Sequence, residues 1–404
     1  MSSWRITAAL ITLCAVPSLI FVMLNQSSLA SGLVFASLII TAICYKPKYI
    51  NPKGKQLYLM AFLIVFVCIA SLVSYLVNTN LKSLTILALI PIFFCSYIFA
   101  RRFDDQPPSS IVDSFRFTLY FFIALGWLGY FDITSIGAYS IRGKAVAPFS
   151  EESHYALVLG MLSAPVFCRG SIRTVGFVGG NFILQALLFP SLTLLVFSIV
   201  GLATFLVRLF GNRVWLTLPL LFVIGFFVFG YISKLDYFSS RLNFEMTSNL
   251  TTLVWLQGWS LFQDHFLDNF GLGLGIQALG LSSTRLSEYS YQIASMNSGY
   301  INNLSDGGFL FAKLGAELGV AGLLIGLGLT KRSIAFMLIY IHNLDKHSIV
   351  NSIMLSFSIE LLLRGYGYFS PGVLLILAVL FFNAGLTSQK DRTIQRFNTR
   401  PTHH

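Results

Sequence analysis

The chain has 404 residues, of which 55% are hydrophobic and only 11% are charged. A mean hydropathy of +0.75 and 38 phenylalanines exclude a soluble domain built around a single core. The net charge of +11 does not indicate a nucleic-acid partner, because the basic residues fall mostly in short loops on alternate sides of apolar segments.

Long apolar runs recur from one end of the chain to the other. A hydrocarbon layer roughly 30 Å thick is crossed by about 20 residues of helix, which satisfies every backbone group within the segment. The sequence therefore predicts an all-α, polytopic integral membrane protein that forms a single transmembrane domain over residues 1–404. Twelve transmembrane helices are predicted, at residues 6–24, 29–45, 57–77, 84–100, 111–130, 154–167, 175–188, 192–207, 214–232, 309–329, 347–364 and 372–386.

Lysine and arginine lie predominantly on one side of these predicted helices. They form clusters at Lys46, Lys48, Lys53, Lys55, Arg101, Arg102, Arg169, Arg173, Arg208, Arg213, Lys331, Arg332, Lys390, Arg392, Arg396 and Arg400. This asymmetry predicts that both termini are cytoplasmic. The five cysteines lie within the predicted helices or near their inner ends, so neither a structural disulfide nor a metal site is expected.

Two outer segments are long enough to carry function. The first covers residues 131–153, and the second is a partly helical loop at residues 233–308, between predicted helices nine and ten. Within the second, large aromatic residues recur at helical spacing from residue 255 to 266. This spacing predicts an amphipathic helix that lies on the bilayer or over a cavity mouth. The glycine-rich stretch 271–280 lacks the ending of a P-loop and is interpreted as a flexible turn.

The first outer segment contains residues suited to chemistry on a phosphorylated sugar. Arg142 offers a planar fork of donors for phosphate. Glu151, Glu152 or His154 could take a proton from a sugar hydroxyl. The alternative interpretation is an ordinary helix start, with Ser150 as the N-cap and acidic residues in the first turn.

Two further charged groups lie within predicted helices. Arg364 is near the outer end of the eleventh, and an arginine at membrane depth indicates a functional site. Its alternative role is an internal i, i+4 pair with Glu360. Lys313 and Glu317 have the same spacing in the tenth predicted helix, where a self-satisfying pair or an outward-reaching lysine is the simpler interpretation.

Three stretches of the chain share features with one family. Arg142-Gly followed by Phe-Ser-Glu-Glu-Ser-His-Tyr-Ala at residues 149–156 is similar to an Arg-Gly…Phe-Ser-Glu-Pro-Ser…Ala stretch, with Glu152 standing where proline is usual. Residues 252–280 resemble a long periplasmic loop of the same family, and residues 306–322 and 364–370 resemble the spans that follow it. The family is that of the Wzy-type O-antigen polymerases.

The resemblance implies a GT-C-like glycosyltransferase in the bacterial inner membrane, with its active site facing the periplasm. Such an enzyme transfers glycan from undecaprenyl pyrophosphate to the terminal sugar of another lipid-linked repeat unit. The implied partners are an undecaprenyl-pyrophosphate-linked donor and acceptor and the surrounding membrane lipids, and a chain-length regulator of the Wzz type is left open. No cofactor, metal or nucleic acid is expected.

The same resemblance, combined with the residue chemistry, suggests roles for particular side chains. Clustered cations could neutralise the leaving pyrophosphate without a metal. The expected pyrophosphate-binding residues are Arg142, Arg241, Arg364 and Lys313. The expected catalytic residues are Glu151, Glu152, His154 and, in reserve, Asp306. The expected substrate-binding residues are Gln257, Trp259, Gln277 and Tyr366.

Three alternatives remain open. An O-antigen ligase would use the same donor with lipid A core as the acceptor. Ligases of this type carry a histidine, commonly followed by asparagine, just before the span that corresponds to predicted helix ten, whereas this chain has Asn302, Asn303 and Asp306 there. A lipid-linked oligosaccharide flippase would place charged residues along several spans, whereas here the candidates lie near outer ends. A structural scaffold would leave Arg364 unexplained.

Overall fold

The computed structural model is all-helical, with 79% helix and no strand among the residues it describes. The described backbone covers residues 3–26, 28–49, 54–134, 137–142, 146–189, 191–211, 219, 230, 234, 239, 249–281, 284–337, 341–342 and 345–398, and side chains are described in these ranges except at 140–142 and 386–398. The predicted all-α class is confirmed.

Thirteen α-helices lie in the described ranges. They are α1 (Ser3–Met23), α2 (Ala30–Cys44), α3 (Lys55–Asn78), α4 (Leu89–Asp104), α5 (Pro108–Tyr130), α6 (Glu152–Arg169), α7 (Ile172–Leu188), α8 (Leu192–Phe210), α9 (Leu250–Asp268), α10 (Glu288–Met296), α11 (Leu310–Ala335), α12 (Lys346–Leu362) and α13 (Pro371–Asn398). Short 3-10 helices occur at Pro47–Tyr49, Leu81–Ala88 and Gly137–Arg142.

Six helices of the described chain are long and apolar enough to cross a membrane. They are α1, α3, Leu81–Asp104 (the 3-10 helix joined to α4), α5, α8 and α11. Shorter apolar helices are α2, α7 and the Pro371–Gly385 part of α13. Each of the other predicted segments coincides with a helix except residues 214–232, which lie outside the described residues apart from two single positions.

The apolar side chains of α3 show why a bilayer is the natural solvent for this fold. Only 22% of its spanning window is buried inside the protein. Tyr58, Phe62, Leu76 and Val77 are each more than 60% exposed. A helix that presents such a surface would be poorly matched to water but is matched to lipid chains.

The centre of the fold is α6, which packs against α5, α8 and α12. Every residue of α6 from position 155 to 168 is buried. Gly160 permits this packing, because a Cβ there would overlap the ring of Phe197 on α8. The first turn of α6, which carries Glu152 and His154, is therefore mounted on a helix that is buried from residue 155 to residue 168.

Basic residues collect where α2, α4, α6 and α8 end and where α12 begins, and we call this region the basic end. Its members are Lys46, Lys48, Arg101, Arg102, Arg169, Arg208 and Lys346. Asp105 accepts hydrogen bonds from Lys46 (2.8 Å), Lys48 (2.9 Å) and the Tyr49 hydroxyl. Burial disfavours its charged form, but these hydrogen bonds outweigh burial and hold the pKa of Asp105 well below its usual range.

The long helix α11 is broken at Gly319, whose backbone angles are φ 57° and ψ −130°. The glycine-rich segment, which we define as residues 271–281, lies in this break. Val320 N donates to Gly271 O (2.8 Å), while Leu274 N donates to Ala316 O (2.8 Å). Turns are present at residues 276–277 and 279–280, as predicted, and the segment that contains them is hydrogen-bonded to the opened helix.

Candidate functional site

A cavity of about 1540 Å³ lies at the end of the molecule opposite the basic end. Its lining comes from the last turns of α1, α7 and α12, from the first turns of α6, α8, α9 and α11, from the 3-10 helix Leu81–Ala88, and from the connections before α2, α11 and α13. We call this region the cavity end. Most of the sequence-predicted site residues with described side chains lie in it.

The lining combines apolar and polar surfaces contributed by different elements. The ends of α1, α2, α7 and α8 contribute mostly apolar side chains, namely Phe21, Leu29, Leu188, Phe189, Leu192 and Val196. The ends of α6, α11 and α12 contribute most of the charged ones, namely Glu151, Glu152, His154, Lys313 and Arg364. Such a lining suits an amphiphile that carries both a hydrocarbon portion and a charged portion.

Arg364 forms an ion pair across the chain rather than within its own helix. Its Nη2 lies 3.3 Å from Glu151 Oε2, and the two side chains are 29% and 54% exposed. Glu360, the partner in the alternative interpretation, is buried, and its Oε1 has no hydrogen-bond partner among the described residues. The reason is that α12 ends at Leu362, so Arg364 lies beyond the helix and the i, i+4 geometry is lost.

His154 is held beside the same pair. Its Nδ1 lies 3.0 Å from Ser150 Oγ, and its ring centroid is 4.4 Å from that of Tyr366. The N-cap of α6 is Glu151, with an extended backbone and no side-chain cap bond, so the predicted cap at Ser150 is wrong. The Ser150 hydroxyl instead lies within hydrogen-bond distance of the His154 imidazole. Glu151 and Glu152 line the cavity.

The Tyr366 hydroxyl is buried and has no hydrogen-bond partner among the described residues. Burial raises the pKa of this phenol well above its usual range, so the group remains a neutral donor. Tyr366 lies in the connection between α12 and α13 and lines the cavity. A buried hydroxyl without a partner is a candidate for binding a ligand, because leaving it unsatisfied is costly.

Lys313 is enclosed by polar partners. Its side chain is 2% exposed, and its Nζ lies 3.7 Å from Glu317 Oε1 and 3.8 Å from Asp306 Oδ1. The ammonium also donates to Ser305 O and lies 5.1 Å from the centroid of the Tyr368 ring. The i, i+4 pair of the sequence analysis is therefore present, and it is part of a wider network that reaches the cavity.

Lys82 was not singled out in the sequence, although it lines the cavity. Its Nζ donates to the carbonyl oxygen of Leu279 at 2.8 Å. Its position in the sequence could have identified it, because Lys82 is the one basic residue in the short connection between predicted helices three and four. Lys82 supplies a third described cation, beside Lys313 and Arg364.

Two of the predicted substrate-binding residues are described but do not line the cavity. Gln257 is buried and donates through Nε2 to Ser290 Oγ at 3.1 Å, which ties α9 to α10. The ring of Trp259 packs 5.2 Å from Phe309 and 5.9 Å from Phe311, centroid to centroid. The helix predicted around residues 255–266 is confirmed as α9, and the Trp259 ring packs against Phe309 and against Phe311 of α11.

The remaining predicted site residues either line the cavity or lie outside the described part of the chain. Gln277, Asp306 and Tyr366 line the cavity. Arg142 ends the 3-10 helix Gly137–Arg142, but its side chain lies outside the described ones, and Arg241 lies wholly outside the described residues. Convergence of three guanidinium groups on one ligand therefore stays a prediction.

Models of known protein families, characterised proteins and solved structures give no match to this chain. The fold and the cavity themselves define a class, namely a helical membrane protein with an amphipathic cavity at one end. Within the described part of the chain, no three His, Cys, Asp or Glu side chains are grouped in a way that could hold a metal ion.

Proposed function

We propose that this protein is a membrane glycosyltransferase of the O-antigen polymerase type, which acts on polyprenyl-pyrophosphate-linked oligosaccharides. The observation that carries the proposal is the Arg364–Glu151 ion pair beside His154, in a cavity whose lining combines apolar and polar side chains. A lipid-linked sugar has the matching parts, since it joins a hydrocarbon chain to an anionic pyrophosphate and a polar glycan.

The arrangement in the membrane forms part of the proposal. The chain crosses the bacterial inner membrane twelve times, with residues 214–232 as the ninth span and residues 233–308 as a periplasmic loop. The basic end lies in the cytoplasm together with both termini, because basic loops are retained there. The cavity end then faces the periplasm, where assembled lipid-linked repeat units are available.

The proposed reaction breaks the bond between the anomeric carbon of the donor glycan and the pyrophosphate oxygen. A hydroxyl of the acceptor sugar forms the new bond, its proton passes to a carboxylate or imidazole, and the lipid pyrophosphate leaves with the bonding electrons. In this proposal Arg364, which lines the cavity, neutralises the leaving group. Pyrophosphate that binds Arg364 would displace Glu151 from the ion pair, which frees this carboxylate to accept the proton.

The polymerase is favoured over a ligase by the residues before α11. The connection at 299–306 lines the cavity and presents Asn302, Asn303 and Asp306, where ligases carry a histidine. A flippase is disfavoured because the cavity lining comes from one end of the described helices. Glu152, His154 and Asp306 remain alternative bases, and Lys82 and Lys313 are further cations for the donor phosphates.

The proposal is tested with a deletion strain complemented by variants. Arg364→Ala is expected to reduce long-chain lipopolysaccharide about 100-fold on a gel, because one charge-assisted contact to the leaving group is lost. Arg285→Ala is the matched control, since Arg285 is an exposed arginine that is also ion-paired, with Asp268 at 3.1 Å, but is absent from the cavity lining. It is expected to give a normal ladder.

The gel of the deletion strain separates the candidate functions. Loss of a polymerase leaves core carrying one repeat unit, whereas loss of a ligase leaves bare core. A normal ladder from an Arg364→Ala protein that is present at wild-type level would remove Arg364 from the site. Normal ladders in the deletion strain itself would contradict the proposed function.

A further inference from the structure

The break in α11 leaves three backbone groups that an unbroken helix would pair internally. In a regular helix, Val320 N would donate to Ala316 O, and Glu317 O would accept from residue 321. Here Val320 N donates to Gly271 O, while Ala316 O and Glu317 O accept from Leu274 N and Gly275 N at 2.8 and 2.9 Å. The glycine-rich segment thus satisfies an opened helix in a region where bare backbone groups would be costly.

The Glu317 carboxylate fixes the next part of the same segment. Its side chain is fully buried, Oε2 accepts from Gln277 N at 2.8 Å, and Oε1 accepts from Leu279 N at 3.2 Å. Oε1 also lies 3.7 Å from Lys313 Nζ. One carboxylate therefore joins two main-chain donors to a lysine of the cavity lining.

The hydrogen bond from Gln277 N to Glu317 holds Gln277 in a backbone conformation that is unfavourable for a non-glycine residue. Its φ is 59°, in the left-handed region that a non-glycine residue adopts at a cost of about 1 kcal/mol or more. Such a conformation persists where surrounding contacts determine it. The Gln277 side chain lines the cavity, and its Oε1 lies 3.5 Å from Lys313 Nζ.

Polar groups from α3 and the turn after it hold the opposite side of the segment. Ser74 Oγ donates to Ile276 O at 2.8 Å, Asn78 Nδ2 donates to Leu274 O at 3.1 Å, and Lys82 Nζ donates to Leu279 O at 2.8 Å. These partners bind carbonyl oxygens, whereas Glu317 binds N–H groups. Among the described side chains, Glu317 is the one carboxylate that accepts hydrogen bonds from N–H groups of the segment.

We propose that Glu317 is a positioning residue, which acts through the main chain of the glycine-rich segment to set Gln277 and Lys313 at the cavity. The inference rests on the proposed function for the reaction it serves, but its structural part can be tested alone. Glu317→Gln removes the charge and replaces one acceptor with an NH₂ group, so two main-chain donors and Lys313 compete for a single oxygen. Glu317→Asp keeps the charge but is too short to reach both donors.

The test combines thiol labelling with kinetics on full-length protein in nanodiscs. Ala278, which is fully buried in the segment, is replaced by cysteine in a Cys68→Ser background, since the other four cysteines are buried. Labelling by a charged maleimide is expected to be about 30-fold faster in Glu317→Gln and about fivefold faster in Glu317→Asp. Glu288→Gln, an exposed acid on α10, is the matched control and is expected to leave the rate unchanged.

The kinetic measurements distinguish a positioning role of Glu317 from partial unfolding of the variant. Displacement of Gln277 and Lys313 is expected to raise KM for the lipid-linked donor about tenfold with kcat within about twofold, whereas partial unfolding would lower kcat at constant KM. An unchanged labelling rate in Glu317→Gln, or fast labelling with unchanged kinetics, would overturn the proposal.

Two further controls keep the outcomes distinct. Gel filtration of each variant checks that it is folded, and if Glu317→Gln is not recovered, an unchanged labelling rate in Glu317→Asp overturns the proposal. Absence of glycan transfer by the wild-type protein would contradict the proposed function. In that case the labelling rates still decide whether Glu317 holds the segment.

Discussion

The two ends of the molecule use charge in opposite ways. At the basic end, Asp105 gathers Lys46, Lys48 and Tyr49 into one hydrogen-bonded cluster, and Lys346 donates to the carbonyl oxygen of Asp104. At the cavity end, charged groups face an open volume of about 1540 Å³. At the basic end the charged groups therefore bind one another and join neighbouring helix ends. At the cavity end the charged groups remain accessible to a ligand.

The difference shows how burial and pairing distinguish stabilising charge from functional charge. Asp105 is one acid shared by several cations, and its carboxylate is 20% exposed. Arg364 and Glu151 are more open and meet across 213 residues of sequence. An exposed pair contributes about 0–1 kcal/mol to stability, so stability alone does not account for an arginine that lines this cavity. Variants at the two ends should therefore separate stability from activity.

The largest effect is expected from Gly319→Ala in the broken helix of the cavity end. Gly319 has φ +57°, and a Cβ there would overlap the carbonyl oxygen of Gly271. We expect a loss of about 3 kcal/mol or more, or failure to fold, because both the strained angle and the overlap must be relieved. Thermal unfolding in detergent measures this. Gly328→Ala is the control, since Gly328 lies on the same helix with no neighbouring atom near its would-be Cβ, and equal destabilisation by both variants would contradict the argument.

A smaller effect is expected from Asp105→Asn at the basic end. Loss of the shared acid should cost about 1–2 kcal/mol in stability and leave the proposed glycan transfer unchanged. Because the folded-state pKa of Asp105 is lowered, its contribution is complete above the unfolded pKa of about 4 and is lost as pH falls toward the folded value. Thermal unfolding at several pH values should show the wild-type advantage at pH 7 shrinking below pH 4. Asp113→Asn, in an exposed pair with Arg116, is the control.

The smallest effect on stability is expected from Tyr366→Phe at the cavity end. Its hydroxyl has no hydrogen-bond partner among the described residues, so removal should change stability by less than about 0.5 kcal/mol. If the hydroxyl binds the ligand, kcat/KM should fall about tenfold, which corresponds to one lost hydrogen bond. Parallel thermal and kinetic measurements check this. A loss of stability with unaltered kinetics would place Tyr366 with the structural groups.

The local sequence pattern predicted most of the helices and part of the candidate site. Long apolar runs predicted α1, α3, α5 and α8, because a helix that satisfies its own backbone suits an apolar solvent. The position of polar residues at outer ends correctly brought His154, Asp306 and Tyr366 to one cavity. Spacing alone was less informative, because the i, i+4 pair of Glu360 and Arg364, which was the alternative interpretation, is not formed.

The sequence by itself determined that the chain is helical and apolar, and that its basic residues separate from its candidate site residues, since these are properties of composition and order. Only the tertiary structure decided that Arg364 meets Glu151, that Lys82 joins the cavity, and that a glycine-rich segment completes a broken helix. The first two of these contacts join groups 213 and 197 residues apart, and the third joins groups more than 40 residues apart. Spacing along a helix reports neighbours three or four residues away, so partners that meet through packing leave no mark in the local pattern.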